Sequence, residues 1–200
     1  MVAGLIKIFL NLGGKILFST CITHWEDSGH QVSVTLEENL KFNCSKLIFA
    51  VNGFAPQLLP QLEVQSARNQ VLMLKPDIPL KLKGCFHYHK GYVYFRNVGD
   101  SLLIGGGRHL DTAGENTLDW DFNTTITNYL IDFAEKHLLQ NVAYKVTDHW
   151  TGILGLGPVK SPIIEMISPS VAVAVRMGGM GVAIGTLVGQ EVANLIMENN

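Results

Sequence analysis

The sequence predicts a mixed α/β (α+β) protein, and three features carry that prediction. The composition is 47% hydrophobic and 16% charged, with 20 glycines in 200 residues, which is typical of a folded chain. Near the carboxyl end, the apolar run 171–175 leads through a glycine turn, residues 178–181, into a helix. The middle of the chain alternates apolar and polar residues, as antiparallel strands do. We therefore expect the two ends to belong together, with an antiparallel sheet inserted between them.

The amino-terminal quarter predicts two helices and three strands. Apolar periodicity predicts a helix over 2–12, and residues 15–20 then predict a strand. Residues 31–36 alternate as a strand does, while 46–51 form a continuous apolar strand of the buried kind, which Asn-Gly ends at once. A short helix is predicted over 55–62, with proline at an early position.

The middle of the chain predicts four short strands, at 70–74, 85–89, 91–96 and 101–104. Turn residues separate the last three of them, which favours successive antiparallel hairpins. A long helix is predicted next, over 119–139.

The remaining residues predict a strand over 143–150, a glycine- and proline-rich loop over 151–162, and the last strand over 171–175. The final helix follows the glycine turn and carries one apolar stripe. The residues of that stripe are Ile184, Leu187, Val188, Val192 and Leu195.

Composition also excludes several classes of function. The formal net charge is −2 and no lysine or arginine run occurs, so nucleic-acid binding is not expected. The three cysteines, Cys21, Cys44 and Cys85, form no pair with metal or redox spacing, which favours a reducing, cytoplasmic setting. No apolar run reaches the ~18 residues that a membrane span needs.

The glycine turn before the final helix is the strongest local indication of a binding site. Glycines between a strand and a helix leave backbone N–H groups bare, and a helix amino terminus carries about half a positive charge. Such a turn can seat an anion or an electron-rich ring edge. The same glycines also suit a tight turn that only packs the helix on the sheet. The turn by itself leaves both interpretations open.

Four short stretches of the chain stand in a characteristic order. The first is LIFAVNGF at 47–54 and the second is RNQVL at 68–72. The third joins GYVYFR at 91–96 to LLIGGG at 102–107. The fourth runs from WTG at 150–152 to GGMG at 178–181. In this shared order they resemble FAD-dependent amine and amino-acid oxidoreductases, the family of D-amino-acid oxidase, glycine oxidase, sarcosine oxidase and gamma-glutamylputrescine oxidase-like enzymes.

The resemblance implies an incomplete FAD-binding three-layer domain plus an antiparallel-sheet substrate domain. The family's strand, G-x-G-x-x-G turn and helix, which seat the pyrophosphate, are not found near the start of this sequence. The implied division is 1–54 for the carboxyl-terminal part of the FAD-binding domain, 55–149 for the substrate domain, and 150–200 for the return to the FAD-binding domain.

The resemblance also assigns residues to sites. The implied cofactor-binding residues are Ala50, Asn52, Gly53, Gly155, Gly178, Gly179, Met180, Gly181 and Val182. Tyr92, Tyr94 and Arg96 alternate with apolar residues, so we expect all three on one face of a strand, where the family has its substrate pocket. A plain Asn-Gly turn and an ordinary amphipathic strand are the competing interpretations.

Two further observations limit the assignment. Where D-amino-acid oxidase and glycine oxidase carry an arginine for the substrate carboxylate, this chain has Leu154. His87 and His89 have a spacing that suits a metal, but no third ligand stands near them, so no metal site is predicted.

The function implied by the resemblance is oxidation of an amine or amino-acid C–N bond by hydride transfer to flavin, with no side-chain acid or base named. We expect a small-molecule amine or amino-acid substrate, and expect this chain alone to bind FAD weakly or not at all and to be inactive. The alternative is a non-enzymatic α/β subunit or binding module that needs a partner chain for cofactor binding. In either case, self-association through an exposed apolar face is expected.

Overall fold

The computed structural model describes residues 1–199, apart from the side chain of Glu38, as four α-helices and eleven strands. The helices are α1 Val2–Asn11, α2 Ala55–Leu58, α3 Thr124–Phe133 and α4 Gly181–Glu198. The first strands are β1 Ile22–Asp27, β2 Val32–Leu36, β3 Lys41–Cys44, β4 Leu47–Phe49 and β5 Gln65–Pro76. The others are β6 Cys85–Tyr88, β7 Val93–Val98, β8 Ser101–Gly106, β9 Tyr144–Leu156, β10 Ile163–Ser168 and β11 Val171–Val175. A π-helical segment, Ala134–Leu139, continues α3.

Both ends of the chain build one three-layer unit. Its middle layer is the sheet β10-β11-β4, in which β11 pairs with β4 in parallel. All five residues of β11 are buried. Because side chains alternate along a strand, both faces of β11 are therefore covered. Ala172 and Ala174 pack with Val188 and Val192 of α4, and the small alanines let that helix lie close to the sheet. The fold therefore has the mixed α/β class and the layered unit that the sequence predicts.

The third layer is the antiparallel sheet β1-β2-β3. It packs on the other face of β11, where Val171 and Val173 join a core of apolar residues. The rest of that core is Val32, Val34, Leu36, Phe49 and Leu59.

The middle of the chain forms a five-stranded antiparallel sheet in the order β6-β7-β8-β5-β9. One face packs against α3 through an apolar core. The opposite face, called the open face here, carries Asn69, Val71, Met73, Tyr94, Arg96, Leu103, Gly105, Trp150 and Gly152. All of these except Gly105 are partly or wholly exposed.

A buried polar network fixes the loop before α3 to the sheet. Arg68 on β5 donates to both carboxylate oxygens of Glu115, with a shortest distance of 2.7 Å. Asn123 donates to Glu115 and to Asp111, and its Oδ1 caps α3. The Glu115 hydrogen bond raises the pKa of Arg68, which keeps that guanidinium charged.

Two predictions of secondary structure fail near the amino terminus and before α3. Residues 15–20 do not form a strand, because Leu17 and Phe18 are exposed and no strand pairs with this segment. The first strand is β1, which pairs with β2. The helix predicted over 119–139 begins only at Thr124, because Asn123 accepts hydrogen bonds from the amides of the first turn and so fixes the start.

Three further corrections concern the carboxyl-terminal third. β9 continues to Leu156 through the stretch predicted as a loop, because it pairs with β5 along its full length. The strand β10 was not predicted at all. Leu187 is 57% exposed, so the buried stripe of α4 is Val188, Val192 and Ile196.

The other predicted elements are present with partly different bounds, namely α1, β2, β4, α2, β5, β6, β7, β8, β11 and α4. β9 crosses the predicted boundary between residues 149 and 150, and the division into domains stays a prediction. Within residues 1–199, no helix is both long and apolar enough to cross a membrane.

Candidate functional site

Three segments distant in sequence meet where β9 ends. The side chain of Asn52 accepts a hydrogen bond from the Met177 amide at 2.9 Å. The Gly178 amide donates to the Gly155 carbonyl at 3.0 Å. Asn52 has a φ of 45°, a left-handed conformation that asparagine tolerates better than most residues. These bonds hold the turn before α4 against the ends of β4 and β9.

Two glycines make this close approach possible. A Cβ on Gly53 would lie 2.6 Å from the carbonyl oxygen of Leu154. A Cβ on Gly155 would lie 2.6 Å from Asn52 Oδ1 and 3.1 Å from the Gly53 nitrogen. Any side chain at either position would force the turn and the strand apart. The Ser66 hydroxyl completes the contact by donating to the Gly53 carbonyl at 2.7 Å.

The turn before α4 depends on Arg176, a residue to which the sequence analysis gave no role. Its φ of 64° is left-handed, and the side chain is buried. Nε donates to the Ser161 carbonyl at 2.9 Å and one Nη donates to the Glu63 carbonyl at 3.2 Å. In the sequence, the one sign of this structural role is that an arginine directly follows a buried apolar strand, because a buried arginine needs hydrogen-bond partners.

The amino terminus of α4 presents backbone N–H groups to solvent. Met180 N donates to the Met177 carbonyl, and the next bonded amides belong to Ala183 and Ile184. Across the described part of the chain, no partner is found for the amides of Gly179, Gly181 and Val182, and no side chain caps the helix. We call these three amides the α4 mouth.

The surroundings of the α4 mouth leave it open. Gly178, Gly179 and Met180 are exposed, and Val182 is 82% exposed. The bare amides and the helix dipole together suit an acceptor with partial negative charge. Ala50, also a predicted cofactor residue, is exposed just beyond the end of β4. Asn52, Gly53, Gly155 and Gly178 are brought into direct contact.

The three predicted substrate residues do not share one face. Tyr94 and Arg96 lie on β7 and on the open face. Tyr92 precedes β7, and its ring packs on His109 with centroids 4.4 Å apart. The expected alternation fails at Tyr92 because its backbone is helical, with φ −67° and ψ −25°, where it ends the turn that precedes β7.

Tyr94 has a partner that the sequence analysis missed. Asn69 Nδ2 donates to the Tyr94 hydroxyl oxygen at 2.9 Å. Burial raises the pKa of the Tyr94 phenol, and the Asn69 hydrogen bond acts in the opposite sense because it favours the phenolate. Asn69 lies within the stretch RNQVL on β5, whereas Tyr94 lies on β7. The two residues meet because both strands flank β8, which only the fold shows.

Two histidines have buried ring nitrogens without a hydrogen-bond partner, Nδ1 of His109 and Nε2 of His149. Burial lowers the pKa of both, and His89 adds to the effect at His109. His149 stacks on Phe122 with ring centroids 3.7 Å apart, which is a packing role. Considering residues 1–199, no group of three or more metal-ligating side chains is placed to hold an ion.

The fold is similar to those of solved amino-acid oxidases and dehydrogenases. Glycine oxidase from Geobacillus kaustophilus superposes with a TM-score of 0.81 at 18% identity, over 99% of this chain and 53% of its own. Iminodiacetate oxidase from Chelativorans sp. BNC1 gives 0.78 at 14% identity, covering 98% and 53%. L-proline dehydrogenase from P. horikoshii gives 0.72 at 16% identity, covering 96% and 53%.

The family follows from the sequence itself. The model of the FAD dependent oxidoreductase (DAO) family matches residues 1–195, so the chain belongs to that family. No curated protein matches the chain significantly in sequence. The chain spans about half the length of the solved structures it resembles.

Proposed function

We propose that this chain forms the ring-facing and substrate-facing part of an FAD-dependent oxidoreductase that oxidises a C–N bond of an amine or amino acid. The α4 mouth is the observation that carries the proposal. Its three exposed amides have no partner in the described chain, and two hydrogen bonds to Asn52 and Gly155 fix the turn that presents them. Family membership and the folds of the solved oxidases support the same assignment.

The residues at the α4 mouth fit one edge of the flavin. FAD, when bound, supplies the acceptor for the hydride that leaves the carbon beside the amine. The amides of Gly179, Gly181 and Val182 would donate to the oxygen and nitrogen atoms of the pyrimidine edge. A helix terminus stabilises a nearby negative charge by ~0.3–1 kcal/mol, so these amides favour the reduced ring. The open face of the five-stranded sheet would hold the substrate.

The first test is an absorbance spectrum of the purified chain with and without added FAD. We expect weak binding or none, because the described chain shows no strand and glycine turn of the kind that seats a pyrophosphate. A screen of secondary amines and amino acids follows the spectrum. A yellow protein with stoichiometric FAD would contradict this expectation.

A sharper test uses the α4 mouth. Riboflavin added to the ¹⁵N-labelled chain should shift the amide signals of Gly179, Gly181 and Val182. Val182→Pro removes one donor at a helix position that tolerates proline, so it should reduce those shifts. Val182→Ala keeps the donor and is the matched control. Shifts that are confined to other residues, or equal in the two variants, would contradict the cofactor assignment.

A second candidate function is that of a non-enzymatic α/β subunit whose partner chain completes cofactor binding. It is favoured by α1, in which no residue is buried. An apolar helix that buries none of its residues has an unsatisfied face. Co-purification of a separate flavin-binding chain would support this candidate, whereas a G-x-G-x-x-G reading frame directly upstream of Met1 would support the first.

A further inference from the structure

Two histidine rings meet where the turn between β6 and β7, residues 89–92, lies against the end of β8. The rings of His89 and His109 have their centroids 5.3 Å apart and are inclined at 79°. Tyr92 packs on His109 with centroids 4.4 Å apart, and Tyr129 of α3 contacts the same ring at 6.0 Å. We call His89 and His109 the histidine pair, and this arrangement the closed turn. The closed turn thus packs through rings that titrate near neutral pH.

The backbone of the closed turn is strained. His89 has a φ of 49° and Lys90 a φ of 57°, so two successive residues that are not glycine take the left-handed conformation. Side chains disfavour it because Cβ then lies too close to the following carbonyl oxygen. Such a conformation persists only where the surrounding contacts outweigh its cost. Weakening those contacts should therefore open the turn.

The turn is docked on two glycines at the end of β8. Gly107 N donates to the Tyr92 carbonyl at 2.8 Å, and Tyr92 N donates to the His89 carbonyl at 3.0 Å. A Cβ on Gly106 would overlap the Tyr92 carbonyl oxygen, so only glycine permits this close approach. The ring contacts of the histidine pair add to these two hydrogen bonds. The docking therefore depends in part on contacts that a change of charge can weaken.

No opposite charge compensates a proton on the histidine pair. Within residues 1–199, the one ion pair that involves a histidine joins His24 to Glu26. Asp111, two residues after His109, accepts hydrogen bonds from Asn123 and the Gly114 amide instead. On α3, Asp132 pairs with Lys136. The other titratable or charged side chains beside the pair are basic or phenolic, namely His87, Tyr88, Lys90, Arg108, Tyr129 and His137.

One ring nitrogen makes protonation of His109 unfavourable in the closed turn. Its Nδ1 is buried and has no hydrogen-bond partner in the described part of the chain. A neutral imidazole can leave its lone pair there, whereas an imidazolium carries N–H on both nitrogens and would leave one unsatisfied. Burial, and then the neighbouring His89, lower the pKa of His109. A lowered pKa means that the closed turn keeps its full stability above the ordinary histidine value of about 6.5 and loses it as pH falls.

We propose that the histidine pair makes the turn at 89–92 a pH-sensitive switch, closed on Gly106 and Gly107 at neutral pH and open in mild acid. The charge change is the protonation of both rings, and the element with two states is the left-handed turn, whose strain is released on opening. Opening also releases the ring of Tyr92 from His109. The switch needs no flavin, so this inference goes beyond the proposed function.

The test is NMR relaxation of the ¹⁵N-labelled 200-residue chain at about pH 7.5 and about pH 5, on either side of the ordinary histidine pKa. We expect the order parameters of the Lys90 and Gly91 amides to fall from about 0.85 to below about 0.6, the values of rigid and flexible backbone. The Tyr94 amide, within β7, should stay rigid at both pH values. Order parameters of the turn that do not change with pH overturn the proposal.

Substitution of one histidine tests the pair itself. His89→Gln removes the neighbouring charge, so the titration midpoint of His109 should rise toward about 6.5 and most of the pH-dependent loss of order should disappear. His30→Gln, at an exposed histidine between β1 and β2, is the control and should change neither quantity. A His109 midpoint that His89→Gln leaves unchanged overturns the proposal.

A second pair of variants tests the strain and keeps both histidines. Lys90→Asn and Lys90→Gln both remove the lysine charge, but asparagine tolerates the left-handed conformation better. The open population at about pH 5 should therefore be severalfold smaller in Lys90→Asn than in Lys90→Gln. Equal populations in the two variants show that release of backbone strain does not drive the opening, which also overturns the switch as proposed.

Discussion

Single glycines decide how closely the segments of the candidate site approach one another. Gly155 and Gly152 lie three residues apart on β9, and their surroundings are opposite. The first has no room for a methyl group, whereas the second faces open space. Their different roles cannot be read from the sequence, where both are glycines in a stretch that resembles a loop.

Gly155→Ala should destabilise the protein by about 1–3 kcal/mol, because the new methyl group would overlap Asn52 Oδ1 and the Gly53 backbone. Urea denaturation measures the change in the free energy of unfolding. The matched control is Gly152→Ala, for which we expect a change within about 0.5 kcal/mol. Equal effects of the two substitutions would show that the close approach at Asn52 does not limit stability.

Tyr144 should govern part of the stability at alkaline pH. Burial and the hydrogen bond from its hydroxyl to Glu135, 2.7 Å long, raise the pKa of Tyr144 to about 12, from 10.0. A pKa that is higher in the folded state stabilises the protein below the unfolded value and loses that contribution as pH rises through the folded one. The free energy of unfolding should therefore fall between about pH 10 and about pH 12.

Tyr144→Phe should make that fall less steep, as measured by urea denaturation at several alkaline pH values. Tyr88→Phe is the control, because Tyr88 is 52% exposed and its hydroxyl makes no hydrogen bond within residues 1–199. If Tyr144→Phe leaves the dependence of the unfolding free energy on pH unchanged, Tyr144 is not the group responsible.

At the scale of elements, the ion pair between Arg68 and Glu115 fixes the loop before α3 onto β5. Both side chains are buried, with exposed fractions of 9% and 0%. Removing one partner of such a pair leaves an uncompensated charge in the interior, which costs more than the pair itself contributes.

Arg68→Met should therefore destabilise the protein by about 3–5 kcal/mol in urea denaturation. Changing both partners, Arg68→Met with Glu115→Leu, should recover part of that loss, because no buried charge then remains. Lys136→Gln breaks the exposed pair with Asp132 and should cost no more than about 0.5 kcal/mol. A large loss in this surface control would argue against burial as the cause.

The elements that the sequence predicted correctly are those with a strong local pattern. The strand β11 is apolar on both faces, and α4 has an apolar stripe after a glycine turn. The strands that were missed have mixed burial and depend on their partners. β3 exposes three of its four residues and is held by pairing with β2. β9 extends through Gly152 and Gly155 because β5 lies beside it, and glycine in isolation indicates a loop.

In the candidate site, too, local patterns were predictable from the sequence and contacts between distant segments were not. The glycine turn at 178–181 predicted bare amides before the final helix, and the amides of Gly179, Gly181 and Val182 have no partner among the described residues. Their role in cofactor binding stays a prediction. Asn69 and Arg176 were not predicted, because their roles depend on partners 25 and 113 residues away in sequence. Short-range patterns identify turns and stripes, whereas contacts between distant strands need the fold.

At the scale of the whole molecule, α1 presents an apolar surface to solvent. Ile8 is 57% exposed, Leu12, which directly follows the helix, is 83% exposed, and α1 buries none of its residues. An isolated helix of ten residues is marginal in water, so packing against another surface would stabilise it. Leu17 and Phe18, beyond the helix, extend the same apolar segment.

We predict that the 200-residue chain self-associates in a concentration-dependent manner, through α1. Ile8→Gln with Leu12→Gln should shift the population toward monomer in sedimentation velocity, because the contact loses apolar area. The control is Ile78→Gln, an equally exposed position, at 55%, in the loop after β5. A monomeric wild-type chain, or equal effects of both sets of substitutions, would contradict the prediction.

Strand β9 joins the open face to the turn before α4 by covalent geometry. It carries Gly152 on the open face and Gly155 against the Asn52 turn, and three residues of extended chain span about 10 Å. No flexible loop intervenes, so this separation is constant. Side chains along the open face can therefore be exchanged while the spacing between that face and the amino terminus of α4 stays the same.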